Sequence, residues 1–187
     1  MRILLIALDG LGDRPVKRGK TPLQLAKTPN LDKLAKNGVN GISYPLGPGV
    51  VLGSDTGYLS LLGYDPRNFY VGRGILEALG SGVKVYEGDV ALRCNICAID
   101  NKFNITDRRA GRIDDKSAEE LAKAIANVST KEFSFLFSHT KGHRGVLIIR
   151  SKFVSPMVSD IDSHVTGQVV WSRQLDSSEG ARKTADA

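Results

Sequence analysis

The sequence predicts an α/β protein in two parts: a half-domain built on a parallel strand over residues 1–75, and an α+β domain over 76–175. Residues 176–187 open one more helix. Three observations lead there. Residues 2–8, RILLIAL, form a continuous apolar run, the pattern of a central parallel strand covered on both faces. TPNLDKLAKNG then reads as a short punctuated helix, followed by a Gly- and Pro-rich loop that leads into a second helical segment. From about residue 82 the texture changes: DVALRCNICAID, FSFLFS and GVLIIR read as strands, with one amphipathic helix, SAEELAKAIANV, among them.

Each element has a local reason. The strand at 2–8 ends in Asp9-Gly10, and ligand sites of open α/β sheets lie at the carboxyl ends of strands. In TPNLDKLAKNG, Thr28 can cap, Pro29 suits the first turn and Gly38 can close the end in the left-handed region. Leu31, Leu34 and Ala35 form its expected buried stripe. Residues 56–62 continue as a helix with Leu59, Leu61 and Leu62 partly buried, and Ser54 or Asp55 stands at its N-terminus, where free N–H groups favour anions. Ser117 with Glu120 reads as a capping box for a helix whose stripe is Ala118, Leu121, Ala122, Ile125 and Val128. DSSEGARKTADA reads as a capped helix cut short after about two turns, as if more chain belonged to the fold.

Composition narrows the function. At 41% hydrophobic and 25% charged residues the chain is an ordinary globular one. No apolar run approaches the roughly 20 residues of a membrane span, and no small-residue cleavage site follows MRILLIALDG, so a cytoplasmic protein is expected. The net charge of +6 suits an anionic partner. The cations are scattered and aromatics are few, which favours a phosphorylated small molecule over nucleic acid. Cys94 and Cys97 lack the further ligands a zinc site needs, and read as two reduced structural thiols on opposite faces of a strand.

Ser54 in GSDTGYLS poses the chemical question. A serine is a weak nucleophile without a base or a metal. His139, His143 and His164 lie far downstream, so a metal is the better activator, and Asp9 is a hard-oxygen ligand for one. Arg93 sits mid-strand among apolar neighbours, Arg108, Arg109 and Arg112 crowd TDRRAGRI, and SHTKGHRG gathers His139, Lys141, His143 and Arg144 in one loop. Such donors suit phosphate and carboxylate oxygens. His164 in SDIDSH reads as a turn residue.

LDG after a strand, TPLQLAKTPNLDKLAKNG, GSDTGYLSLLGYDP and GRGILEALGSG resemble the archaeal-type, cofactor-independent phosphoglycerate mutases of the alkaline phosphatase superfamily. The likeness continues through DVALRCN, DRRAGRI, HRGVLIIR and VSDIDSH, in the family's order. It implies a partial alkaline-phosphatase-like domain interrupted by an α+β insertion domain, with residues 176–187 as the return helix. It implies interconversion of 3-phosphoglycerate and 2-phosphoglycerate, without 2,3-bisphosphoglycerate, through a phosphoserine at Ser54. It further implies two divalent metals (Mn, Co, Zn or Mg), with Asp9 and Ser54 at ligand positions of that centre. Arg93, Arg108, Arg109, Arg112, His143 and Arg144 are the substrate-binding candidates. A phosphoglycerate is the expected partner, nucleic acid and membrane are not, and a homo-oligomer is left open. Tyr58 stands where relatives carry a His, and the family's later Asp and His ligands have no counterpart here, so the chain resembles the N-terminal portion only. The rival readings are another metal-dependent phosphohydrolase or mutase of the superfamily, and a non-catalytic fragment with an open sheet edge.

Overall fold

A computed structural model describes residues 2–162, 164–168 and 171–187. The chain forms two compact units, one ending at Tyr70 and the other beginning at Val71.

The first unit holds four helices: α1 (Pro22–Leu25), α2 (Pro29–Asn37), α3 (Ser54–Leu61) and α4 (Pro66–Phe69). A reciprocal capping box starts α1: Thr21 Oγ1 accepts from the Gln24 N–H at 3.3 Å, and Gln24 Oε1 accepts from the Thr21 N–H at 2.9 Å. Helix α2 spans the expected residues, with two corrections. Thr28 turns its hydroxyl to Asp32 Oδ1 at 3.1 Å instead of capping the backbone, and Gly38 is extended, with φ −110°. Leu31 and Leu34 are exposed, because a stripe is buried only by an element laid against it and the described residues leave these two uncovered. The strand expected at 2–8 is also absent. Ile3 and Leu4 are 84% and 83% exposed, and no described segment forms a ladder with this run. A strand exists through its neighbour's hydrogen bonds, and an apolar run alone does not supply them.

Helix α3 begins at Ser54. Its cap is Gly53, whose N–H donates to Thr56 Oγ1 at 3.2 Å while that hydroxyl donates back to the Gly53 carbonyl at 3.1 Å. Farther along, Ser60 Oγ donates to the Pro45 carbonyl at 2.7 Å, which anchors α3 to the preceding loop. Leu59 is half-buried as expected, but Leu61 and Leu62 are exposed. Asp65 caps α4, and the Tyr64 and Phe69 rings meet edge to face at 5.6 Å.

The second unit runs α5 (Arg73–Gly80), β1 (Val90–Asn95), β2 (Ala98–Ile99), β3 (Ile105–Asp107), a 3₁₀ turn at Ala110–Arg112, α6 (Asp115–Ala124), β4 (Asn127–Ser129), β5 (Ser134–Lys141), β6 (Arg144–Arg150) and α7 (Glu179–Asp186). Its main sheet has the order β1-β6-β5-β4, and β2 pairs with β3 separately; every ladder is antiparallel. Opposite Arg93 stands Val146, and opposite Asn95 stands Arg144. By alternation, one face of the sheet carries Ala91, Arg93, Asn95, Arg144, Val146 and Ile148. Helix α5 covers the apolar part of that face, where Ala78, Val146 and Ile148 form the core with Val83, Val85, Ala91 and Leu136 against them. On the opposite face His139 Nε2 lies 3.7 Å from Asp115 Oδ1 at the start of α6, which puts α6 on that side.

Helix α6 starts earlier than the Ser117 box predicts. Asp114 is the cap, accepting from the Ser117 N–H at 3.0 Å. Of the expected stripe, Ala118 and Ala122 are buried, whereas Leu121 and Ile125 are exposed and Val128 belongs to β4. The closing helix is capped as expected: Ser178 Oγ accepts from the Ala181 N–H at 3.1 Å, and Ala181 and Thr184 are buried against the segment around Phe153 and Ser155.

Strand β1 ends at Asn95, so Cys97 lies beyond it and the two thiols are not strand neighbours on opposite faces. Burial pushes the Cys94 thiol up to about 11, while Cys97 is exposed. A thiol reagent at neutral pH is therefore expected to label one cysteine of the native chain, Cys97, and the second only after unfolding. Equal labelling rates would contradict the burial of Cys94.

Candidate active site

In the first unit, Asp9 and Ser54 come together from 45 residues apart. The turn after the apolar run closes with the Leu11 N–H donating to the Leu8 carbonyl at 3.3 Å, and Gly10 takes φ +75°, a left-handed conformation that glycine adopts without strain. This turn presents the Asp9 carboxylate, and Ser54 Oγ donates to Asp9 Oδ2 at 3.1 Å. Ser54 is the first residue of α3, so the free N–H groups of the first helical turn and the positive end of the dipole lie beside its hydroxyl. A concavity opens over the pair, with Leu8, Gly53, Gly57 and Tyr58 in its wall. Asp55, next to Ser54, accepts from the Tyr70 hydroxyl at 2.5 Å, which ties the first turn of α3 to the end of α4.

Asp9 and Ser54 offer two hard-oxygen donors, whereas a divalent ion of the Mg²⁺ or Mn²⁺ kind takes about six. Among the described residues no group of three or more His, Cys, Asp and Glu is placed to hold a metal. The residues present therefore do not fit a complete divalent centre, and the chemistry derived below uses their own atoms.

In the second unit, four of the six substrate-binding candidates form one basic group. Arg93 and Arg144 share a sheet face, and His143 lies in the hairpin that joins β5 to β6, its carbonyl accepting from the Ile96 N–H at 2.6 Å. Burial first, and then the positive charges of Arg144, Arg109 and Arg93, hold the His143 imidazole below the usual histidine range, while the Asp107 carboxylate acts the other way. Arg93 Nε is buried without a hydrogen-bond partner among the described residues; Glu77 Oε2 stands 3.6 Å away, and the other Glu77 oxygen accepts from Thr140 at 2.6 Å. An orphaned, buried guanidinium N–H has a strong appetite for an anionic oxygen.

The other two candidates stand apart. Arg108 forks onto Asp162, with Nε to Oδ1 and Nη2 to Oδ2 both at 2.6 Å, and His164 Nδ1 lies 2.7 Å from the same Nη2. The guanidinium hydrogen bonds hold the Asp162 carboxyl down at about 2. Arg112 ends the 3₁₀ turn in a left-handed conformation and is exposed. Of the loop donors expected to be less engaged, His139 makes a 2.8 Å hydrogen-bond contact to the Gly142 carbonyl. Three carboxylates outside the sequence-predicted set organise these cations: Glu77, Asp107 and Asp162. Asp107 was legible as the acid that opens the DRRAGR run; the other two lie far from their arginines in sequence.

The profile of the family described as 2,3-bisphosphoglycerate-independent phosphoglycerate mutase matches residues 35–187. The chain belongs to this family. It is 45% identical over 186 residues to the 2,3-bisphosphoglycerate-independent phosphoglycerate mutase 1 of Methanocaldococcus jannaschii, covering 99% of this chain and 45% of that protein. It is 52% identical over 167 residues to the corresponding mutase of Thermococcus gammatolerans, covering 88% of this chain and 40% of that protein. Among solved structures, the cofactor-independent phosphoglycerate mutase of Thermoplasma acidophilum matches with a TM-score of 0.58 and 41% identity, over 95% of this chain and 46% of that one. The chain spans about half the length of the relatives it matches. The mixed helix-and-sheet fold agrees with that structure.

Proposed function

We propose that the chain carries the nucleophile and the substrate-holding surface of a 2,3-bisphosphoglycerate-independent phosphoglycerate mutase, which interconverts 3-phosphoglycerate and 2-phosphoglycerate. The observation that carries the reading is the 3.1 Å hydrogen bond from Ser54 Oγ to Asp9 Oδ2 at the start of α3. In the first step the Ser54 oxygen bonds to phosphorus as the bond from phosphorus to the glycerate oxygen breaks. Asp9 accepts the Ser54 proton, and the departing glycerate oxygen takes up a proton from solvent, to which Asp9 returns its own. The reverse transfer to the other hydroxyl gives the isomer and restores Ser54. Free N–H groups at the helix start offset the negative charge of the transferring group. Arg93, Arg109, His143 and Arg144 serve to bind the phosphate and carboxylate of a phosphoglycerate. The same reading carries the finer expectations: dependence on divalent metal such as manganese, with Asp9 and Ser54 supplying part of its donors, and a place in glycolysis and gluconeogenesis in the cytoplasm.

The test joins this chain to the second half of the Methanocaldococcus jannaschii relative, adds 3-phosphoglycerate, and follows both 2-phosphoglycerate and phosphate on Ser54 by mass spectrometry. Product with label on Ser54 supports the reading; product with label elsewhere, or none on the chain, refutes it.

A pH dependence follows from His143. Its lowered proton affinity leaves the imidazole neutral at pH 7. A bound anion adds negative charge beside it and favours protonation, so binding takes up a proton. Affinity for 3-phosphoglycerate is expected to rise as pH falls through the histidine range. His143→Gln should flatten the profile in a calorimetric titration. For folding the sign is opposite: the native state binds fewer protons at His143 than the unfolded chain, so its contribution is complete above about pH 6.5 and is lost as pH falls below that value.

A further inference from the structure

The arginine loop after β3 is held in an unusual shape. Ala110, Gly111 and Arg112 take φ of +46°, +65° and +60°, three consecutive residues in the left-handed region where only glycine sits without strain. Two backbone bonds close the turn, from the Arg112 N–H to the Arg109 carbonyl at 2.9 Å and from the Ile113 N–H to the Ala110 carbonyl at 3.1 Å. Asp107, the last residue of β3, reaches over it with both oxygens: Oδ1 accepts from the Arg109 N–H at 2.7 Å and Oδ2 accepts from the Gly111 N–H at 3.0 Å. These two bonds are also the chief reason why the Asp107 carboxyl lies below its ordinary range. The turn is tied onward to the histidine hairpin, because Asp115 Oδ1 accepts from the Gly142 N–H at 2.5 Å.

A carboxylate among Arg93, Arg109, Arg144 and His143 opposes the binding of an anion by simple charge. Its presence there needs another explanation, and the geometry supplies one. We infer that Asp107 is a positioning residue: its carboxylate clamps the left-handed turn at 110–112 and so presents Arg109, at the mouth of that turn, to the anionic groups of the substrate. The inference rests on the reading of this surface as the phosphoglycerate site. It makes Asp107 act through the backbone, with no contact to the substrate itself.

Charge and geometry predict opposite signs for the same substitution. Asp107→Asn keeps the side chain's shape, removes a negative charge from the basic group, and replaces one acceptor oxygen by an NH₂ that cannot accept from the turn. If the carboxylate acted by charge alone, the variant would bind anions more tightly. If it acts as a clamp, affinity falls although the local charge becomes more positive. The experiment uses the full chain without ligand for one readout, and with inorganic phosphate and 3-phosphoglycerate for the other. Tryptic cleavage after Arg109 and Arg112, followed by mass spectrometry, reads the turn; calorimetry reads affinity.

The expected result for Asp107→Asn is cleavage at these two sites about 10-fold faster, and 3-phosphoglycerate affinity about 10-fold lower, with the melting temperature little changed. Asp107→Glu, which keeps the charge and misplaces it by one methylene, should lose affinity in the same direction. Unchanged cleavage, or equal or tighter anion binding by Asp107→Asn, overturns the inference. Faster cleavage in the variant together with no anion binding by the unmodified chain upholds the clamp and refutes the substrate reading instead.

Discussion

Replacing Gly74 with alanine is expected to destabilise the chain by roughly 2–4 kcal/mol. Helix α5 lies so close on β1 that a Cβ at this position would sit 1.9 Å from the Ala91 carbonyl oxygen and 2.7 Å from the Leu92 nitrogen. Both are backbone atoms of a paired strand, so no side chain can swing aside. Relief requires lifting the helix, which pulls Ala78 off Val146 and Ile148, the most buried cluster of this unit. The intrinsic gain of alanine over glycine in a helix, about 1 kcal/mol, is too small to offset that loss. Gly80, at the other end of α5, is the control: an added Cβ meets nothing within 4 Å there, and alanine should be neutral or mildly stabilising. Urea denaturation of the two variants decides the matter, and equal stability would show that α5 does not approach β1 so closely.

Ser54→Ala is expected to abolish phosphoglycerate interconversion, by about 10⁴-fold or more, in this chain joined to the remaining half of a relative. Stability should hardly change, and the reason is structural. Had Ser54 been the cap of α3, its loss would cost about 1 kcal/mol. The cap is the reciprocal pairing of Gly53 with Thr56, and the Ser54 hydroxyl donates an exposed hydrogen bond to Asp9. A variant that keeps its turnover would remove Ser54 from the reaction. A variant that loses both turnover and a large part of its stability would make the residue structural.

How far the sequence could be read differed between the two units. In the second, strands β1, β5 and β6 were legible because their apolar runs find one another within the chain, and the helix from Ser178 onward was legible because its cap is local. The strand expected at 2–8 was read from the same kind of signal and is not formed, because a ladder needs a second strand and no described segment supplies one. Helix starts were misplaced by one to three residues. Asp114 outcompetes Ser117 at α6 and Gly53 outcompetes Ser54 at α3, and both contests are decided by which side-chain oxygen lies within reach to accept from a backbone N–H: Asp114 from Ser117, and Thr56 from Gly53.

The amino-acid order by itself determined the residue types of the chemistry: a serine at a helix start, an aspartate after an apolar run, and a crowd of arginines and histidines in two loops. It also determined the family, since long motifs persist over nearly the whole chain. Only the tertiary structure decided which of these residues meet. It set Ser54 on Asp9, gathered Arg93, Arg109, Arg144 and His143, and turned Arg108 away onto Asp162. It also revealed Asp107 as the acceptor for a strained turn. The physical reason is range. Capping, turn chemistry and hydrophobic period act over a few residues and leave marks in the sequence. Ion pairs and hydrogen bonds between side chains 45 to 63 positions apart depend on where strands and helices come to rest, and no local pattern encodes that.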